Sequence, residues 1–137
     1  MPKAPPAKKQ SLDEIYIALE KLASRFVPPL KSGGAAVPGK RHAHFVIPRA
    51  VSVPGAYGGR PVELEVASLI LQKDYVGFYC MPVYMNAQLR AKLSPALLKL
   101  LKGKTCFHVK QLDPALTKDI ETAIQEGIAF YKSRGWL

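Results

Sequence analysis

Apolar residues change their spacing several times along this chain, and each change marks an element. Leu12, Ile15, Leu19, Leu22 and Phe26 fall on one helical stripe. Ser11-Leu12-Asp13-Glu14 ahead of the stripe reads as a capping box, with Ser11 as N-cap and Glu14 at the third helical position. Pro28 and Pro29 end the helix and open a Pro/Gly-rich loop over residues 28–40. Residues 41–47 read as a strand. A second Pro/Gly stretch runs from Pro48 to Pro61, with room for a short paired segment near Val51 and Val53. Residues 62–73 and 75–84 read as two strands joined at Lys73-Asp74 into a hairpin, with Pro82 at a strand end or on an edge.

Shorter helical patterns follow. Asn86 to Lys92 reads as one helical turn or short helix. Ser94-Pro95 opens another, with Leu97, Leu98 and Leu101 on its buried side and Gly103 as its stop. Residues 104–110 form the last expected strand. Asp113-Pro114 then starts a long C-terminal helix whose apolar face is Leu116, Ile120, Ala123, Ile124, Ile128 and Tyr131, ending at Gly135. Helices at both ends with strands between them predict an α+β domain: an antiparallel sheet with helices packed on one face. The first ten residues, rich in Pro, Lys and Ala, are expected to form a disordered basic tail, leaving residues 11–137 as a single domain.

Size and charge narrow the picture only slightly. A chain of 137 residues suits one domain with a core of its own. Two widely separated cysteines, Cys80 and Cys106, form neither a disulfide framework nor a zinc-finger spacing, which points to a reducing, cytoplasmic setting. No apolar run reaches the length of a bilayer span, so no membrane insertion is expected. The net charge of +10 favours anionic partners. It is unevenly placed: residues 1–62 hold ten basic and three acidic residues, and residues 86–112 hold six basic residues and no acidic one.

Strand alternation supplies the sharpest candidate site. In residues 75–82, Val76, Phe78 and Cys80 share one face, and Tyr75, Gly77, Tyr79 and Met81 the other. In residues 105–110, Phe107 and Val109 share a face with Thr105, and Cys106, His108 and Lys110 take the opposite one. With Val76, Phe78, Phe107 and Val109 turned to the helices, the other face presents Tyr75, Tyr79, Met81, Cys106, His108 and Lys110. Lys104 stands at the strand's start. Aromatic rings stack on flat ligands, and Lys and His attract anions, so these residues are the ligand-binding candidates. The competing explanation is an ordinary sheet face covered by a loop or by a second subunit of a homodimer.

Other constellations are weaker. Cys106 and His108 lie two apart on one strand, side by side but poorly aimed for a nucleophile and base, with no orienting Asp or Asn nearby. His42 and His44 share a strand face and would need His108 or Cys80 to complete a metal site, so no metal ligands are assigned. Gly103-Lys104-Thr105 lacks the earlier glycine and the following helix of a phosphate-binding loop. Glu63 and Glu65 read equally well as paired carboxylates or as edge charges that discourage aggregation. No catalytic residue and no cofactor are assigned.

The stretch from about Ile70 to Trp136 resembles the YdhG-like family of domains of unknown function. The resemblance is carried by Lys73-Asp74-Tyr75-Val76-Gly77-Phe78-Tyr79, Met81-Pro82-Val83-Tyr84, Leu100-Leu101-Lys102-Gly103-Lys104, Cys106-Phe107-His108 and Tyr131-Lys132-Ser133-Arg134-Gly135-Trp136. It implies a small α+β fold around an antiparallel sheet and no established catalytic residues. Some relatives are described as frataxin-like iron chaperones, a role that leans on acidic surface because hard cations prefer carboxylate oxygens. This chain holds only ten acidic residues in all. The reading that results is a small, non-enzymatic binding or interaction domain. The alternatives are a basic protein associated with nucleic acid through Arg90 to Lys110 and, more weakly, a metal-handling protein.

Overall fold

The computed structural model of the chain describes residues 10–33 and 37–137. The expected basic tail lies outside these residues except for Gln10, as do residues 34–36 of the first loop. Gln10 belongs to the domain. Its side-chain amide donates to the Leu112 carbonyl at 2.8 Å and accepts from the Leu112 N–H at 2.7 Å, pinning the start of the chain beside the last helix.

Helix α1 spans Leu12–Ser24 and begins with the expected capping box. Ser11 Oγ accepts from the Glu14 N–H at 3.1 Å, and the Glu14 carboxylate accepts from the Ser11 N–H at 3.3 Å. Six strands follow: β1 (Lys31–Ser32), β2 (His42–Val46), β3 (Glu65–Leu71), β4 (Val76–Cys80), β5 (Leu101–Lys102) and β6 (Cys106–Val109). They form one antiparallel sheet in the order β1-β2-β3-β4-β6-β5. The β3–β4 hairpin turns at Lys73-Asp74, as its sequence implies. Val51 and Val62 pair as an isolated bridge across the second Pro/Gly stretch.

Helix α1 and the long C-terminal helix α5 (Pro114–Ser133) pack on the same face of the central strands. Asp113 caps α5 by accepting from the Leu116 N–H at 2.7 Å, and Pro114 occupies the first turn, where no N–H is required. The core face of the sheet is set where β4 meets β6. Phe78 lies opposite Phe107 and Val76 opposite Val109, and all four are buried. The two phenyl rings sit 5.6 Å apart at 33°, a tilted contact that adds roughly 1 kcal/mol beyond simple burial.

Two expectations need correcting. The strand read over 75–84 stops at Cys80, and helix α2 (Met81–Met85) takes over. Cys80 donates the last ladder bond, to the Thr105 carbonyl at 3.0 Å. Pro82 has no N–H to continue the ladder and fits the first turn of a helix instead. The helix opened by Ser94-Pro95 is also shorter than its leucine pattern suggests. Helix α4 (Pro95–Leu98) ends before Leu101, which enters β5, and Gly103 is a hairpin turn residue at φ 76° rather than a helix stop. Between α2 and α4, Asn86 caps α3 (Ala87–Ala91) by accepting from the Gln88 and Leu89 N–H groups.

Helix α5 crosses α2 closely at Gly127. A Cβ there would lie 2.8 Å from the Pro82 ring, which is too rigid to yield. Two substitutions separate packing from backbone effects. Phe107→Ala is expected to lower stability by about 3–5 kcal/mol. Gly127→Ala, normally favourable in a helix, is expected to destabilise as well, because the added methyl group meets Pro82. Urea unfolding monitored by circular dichroism checks both, and a Gly127→Ala variant more stable than the parent would contradict the close crossing.

Candidate functional site

The face of the sheet turned away from α1 and α5 is built by the same registers that fix the core. Gly77 lies opposite His108, and Tyr79 opposite Cys106. On the other side of β4, Gly77 pairs with Ile70 and Tyr79 with Ser68, and those two pair in turn with His42 and His44. One continuous face therefore carries His42, His44, Ser68, Ile70, Gly77, Tyr79, Cys106 and His108. Tyr75 and Tyr79 are half-buried on it, neither sealed under protein nor fully open.

Six of the seven candidate residues divide into three pairs, and Lys110 stands just past the end of β6. Tyr75 stacks on His108 with ring centroids 3.7 Å apart and planes 11° from parallel. Tyr79 leans over Gly77, where a Cβ would meet its ring at 2.8 Å, and lies opposite Cys106 across β4 and β6. Met81 and Lys104 leave this face altogether. Met81 begins α2, and Lys104 sits in the β5–β6 turn with its ammonium group 5.0 Å from the centre of the Tyr84 ring.

Burial and neighbours set the chemistry of each group. Burial, followed by the neighbouring Cys106 thiol, pushes the Tyr79 phenol up to about 12. Burial also raises the Cys106 thiol, while the neighbouring Tyr79 hydroxyl partly opposes it. His108 moves down from the ordinary imidazole value, first through desolvation and then through the nearby Lys102 and Lys110 ammonium groups. With its ring stacked on Tyr75, His108 is placed to orient against a flat neighbour rather than to activate Cys106. A protonated thiol with an imidazole turned elsewhere gives no nucleophile.

His108 and Lys110 also line a cavity of about 470 Å³ that the strand pattern alone does not reveal. It opens between the β5–β6 edge and the start of α5. Lys99, Lys102 and Lys110 are exposed around it, and Leu116 of the first turn of α5 forms part of its wall. Its carboxylate, Asp113, is already engaged in capping the Leu116 N–H. Lys99 comes from the end of α4 and Lys102 from β5, so the cluster exists only because β5 folds back on β6. The other positive residues of the 86–112 stretch go elsewhere. Lys92 lines a separate cleft against α5 with Glu126, and Lys104 lines a third cavity beside Tyr84.

The histidine pair on β2 is remote from His108. Three strand spacings separate β2 from β6, roughly 14 Å. Cys80 faces the core on the opposite side and is fully buried. His44 Nδ1 lies 3.0 Å from the Glu65 carboxylate, and His42 Nε2 accepts from the Val37 N–H at 3.2 Å. The remaining ring nitrogens, His42 Nδ1 and His44 Nε2, are buried without a partner. Among the described residues, no three of His, Cys, Asp and Glu gather in a geometry that would hold a metal ion. Glu63 and Glu65 do not act as a pair: Glu63 bridges to Lys31 and Glu65 to His44.

No protein-family model, no curated protein and no solved structure matches the chain.

Two measurements test this electrostatic arrangement. By NMR titration, His108 is expected to titrate below 6.5, and Lys102→Gln to move it upward by removing a like charge. Cys106 is expected to react with iodoacetamide at neutral pH more slowly than a free thiol. Tyr79→Phe should slow it further, because the hydroxyl that favours the thiolate is gone. Faster alkylation in Tyr79→Phe would contradict that role of the Tyr79 hydroxyl.

Proposed function

We propose that this domain is a non-catalytic binding module that takes a small phosphate-bearing ligand in the cavity between the β5–β6 edge and the start of α5. The observation that carries this reading is the convergence of Lys99, Lys102, Lys110 and His108 on one concave site whose carboxylate, Asp113, is already hydrogen-bonded. Three exposed ammonium groups supply attraction and hydrogen-bond donors for phosphate oxygens. The positive end of the α5 dipole lies beside them and favours the same sign of ligand. The Tyr75 stack holds the His108 ring in place at the rim. A neutral His108 in the free protein gains a proton more readily once an anion is bound.

Membership of the YdhG-like family is part of the same proposal and rests on the order of the motifs from Lys73 to Trp136. So is a cytoplasmic location, supported by two cysteines that are both unpaired, one buried and one half-buried. No helix among the described residues is long and apolar enough to cross a membrane. The half-covered sheet face around Tyr75 and Tyr79 supports a homodimer, which sedimentation of the full chain would reveal.

Isothermal titration of the full chain with inorganic pyrophosphate tests the ligand class. Saturable binding is expected, weakened at least about tenfold in Lys102→Ala/Lys110→Ala, which corresponds to about 1.4 kcal/mol. Binding is expected to tighten as pH falls through the His108 pKa of the complex and to level off below that of the free protein, since the anion raises the former. Pyrophosphate binding indifferent to both lysines would reject the site. If a mixed-sequence single-stranded oligonucleotide binds instead, with a steep salt dependence that also requires Arg90 and Lys92, the nucleic-acid reading replaces this one.

A further inference from the structure

A second cavity, of about 390 Å³, lies at the opposite end of β6, where the second Pro/Gly loop meets α2 and the β5–β6 turn. Its walls include Tyr57, Met81, Tyr84 and Met85, and its polar rim includes Lys104 and Thr105. Tyr57 and Tyr84 are 42% and 54% exposed, unusual for large aromatic side chains that face each other's cavity rather than the core. Among the described residues, no carboxylate lines it. The Lys104 ammonium is its one charged group among the described residues, poised 5.0 Å from the Tyr84 ring centre.

The backbone at Tyr57 is a separate observation that points to the same place. Tyr57, Gly58 and Gly59 all have positive φ, at 54°, 63° and 77°. Glycine adopts this region freely, whereas a tyrosine does so at a cost. Tyr57 is the sole non-glycine residue with positive φ among the described residues. Its conformation is held by two hydrogen bonds to its carbonyl, from the Arg60 backbone N–H at 3.1 Å and the Arg60 side-chain Nε at 3.3 Å. A glycine would complete this turn without strain, so the strained backbone holds an aromatic ring over the cavity that packing does not require. Strain kept in place of an easier residue marks positions with a task beyond folding.

We infer that this cavity binds a small aromatic carboxylate. Two tyrosine rings and two methionine thioethers suit a flat aromatic body, since rings pack on rings and thioether sulfur makes favourable contact with ring edges. A lone ammonium group with no competing carboxylate selects an anionic end over a neutral or cationic one. The Thr105 side chain stands next to Lys104 to accept or donate a further hydrogen bond. The volume falls within the range of small-molecule sites and suits a ligand of one or two rings. This cavity is independent of the phosphate-binding reading: Thr105 and Lys110 lie five positions apart on nearly extended chain, roughly 16 Å.

The test uses the full chain with 1-naphthoate as probe and the neutral alcohol 1-naphthalenemethanol as its comparison. Naphthoate is expected to bind saturably and to shift the amide resonances of Tyr57, Tyr84 and Met85. The alcohol should bind about tenfold more weakly. Lys104→Met should weaken naphthoate about tenfold and erase its advantage over the alcohol, and Tyr84→Ala should remove binding of both. Tyr57→Gly separates a ligand role from a structural one: binding should fall at least about fivefold while Tm holds or rises, because the turn relaxes. Lys102→Ala/Lys110→Ala should leave naphthoate affinity unchanged. The inference is overturned if millimolar naphthoate moves none of the three amides, if the alcohol binds as tightly as the acid, if Lys102→Ala/Lys110→Ala abolishes naphthoate binding, or if Tyr57→Gly lowers Tm without touching affinity.

Discussion

The contact between Phe78 and Phe107 across β4 and β6 decides on which side of the sheet Tyr75, Tyr79, Cys106 and His108 stand. Side chains alternate along both strands, so fixing this pair on the helix-covered face sends Tyr75, Tyr79, Cys106 and His108 to the other. A slip by one residue would bury His108 under α5 and turn Phe107 to the open face. The cost of such a slip is large, because Val76, Phe78, Phe107 and Val109 are all buried together. The register that stabilises the core is thereby the register that builds the Tyr75–His108 stack.

Much of this was legible in the chain. The two-residue rhythm around Phe78 and Phe107 placed both rings correctly, and Ser11, Asn86, Ser94 and Asp113 each stand at the start of a helix as their side chains suggest. The boundary at Cys80 was harder to see. Met81-Pro82-Val83-Tyr84 continues an apolar run, and only the missing Pro82 N–H distinguishes a helix start from a strand end. The leucines from Leu97 to Leu101 likewise continue a helical spacing past the point where Leu101 joins β6 in the sheet. In both places the tertiary partner, rather than local preference, chooses the element.

The candidate site was legible only in part, for a geometric reason. Strand alternation tells which residues share a face, and it correctly brought Tyr75, Tyr79, Cys106 and His108 together. It says nothing about what arrives from elsewhere in the chain. Lys99 and Lys102 reach His108 because β5 is a two-residue edge strand that folds back at Gly103, and the α5 terminus closes on them from a third direction. Tyr57 reaches Tyr84 across a loop whose path no periodicity encodes. The excess of basic residues in 86–112 suggested one patch, whereas Lys92, Lys102 and Lys104 line three different cavities.

This dispersal bears on what the net charge of +10 does. A continuous basic strip attracts a polyanion along its length, whereas separate concave clusters concentrate potential locally and suit compact anions. The two ends of β6 follow the second pattern with different companions. At one end several ammonium groups and a histidine stand around a helix terminus, above aliphatic walls that include Leu100 and Leu116. At the other a single ammonium group stands over aromatic walls. The same short strand thus separates a cavity ringed by several lysines from one walled by aromatic rings, and the hairpin turn at Gly103, which sets Lys102 on one side and Lys104 on the other, is the feature that divides them.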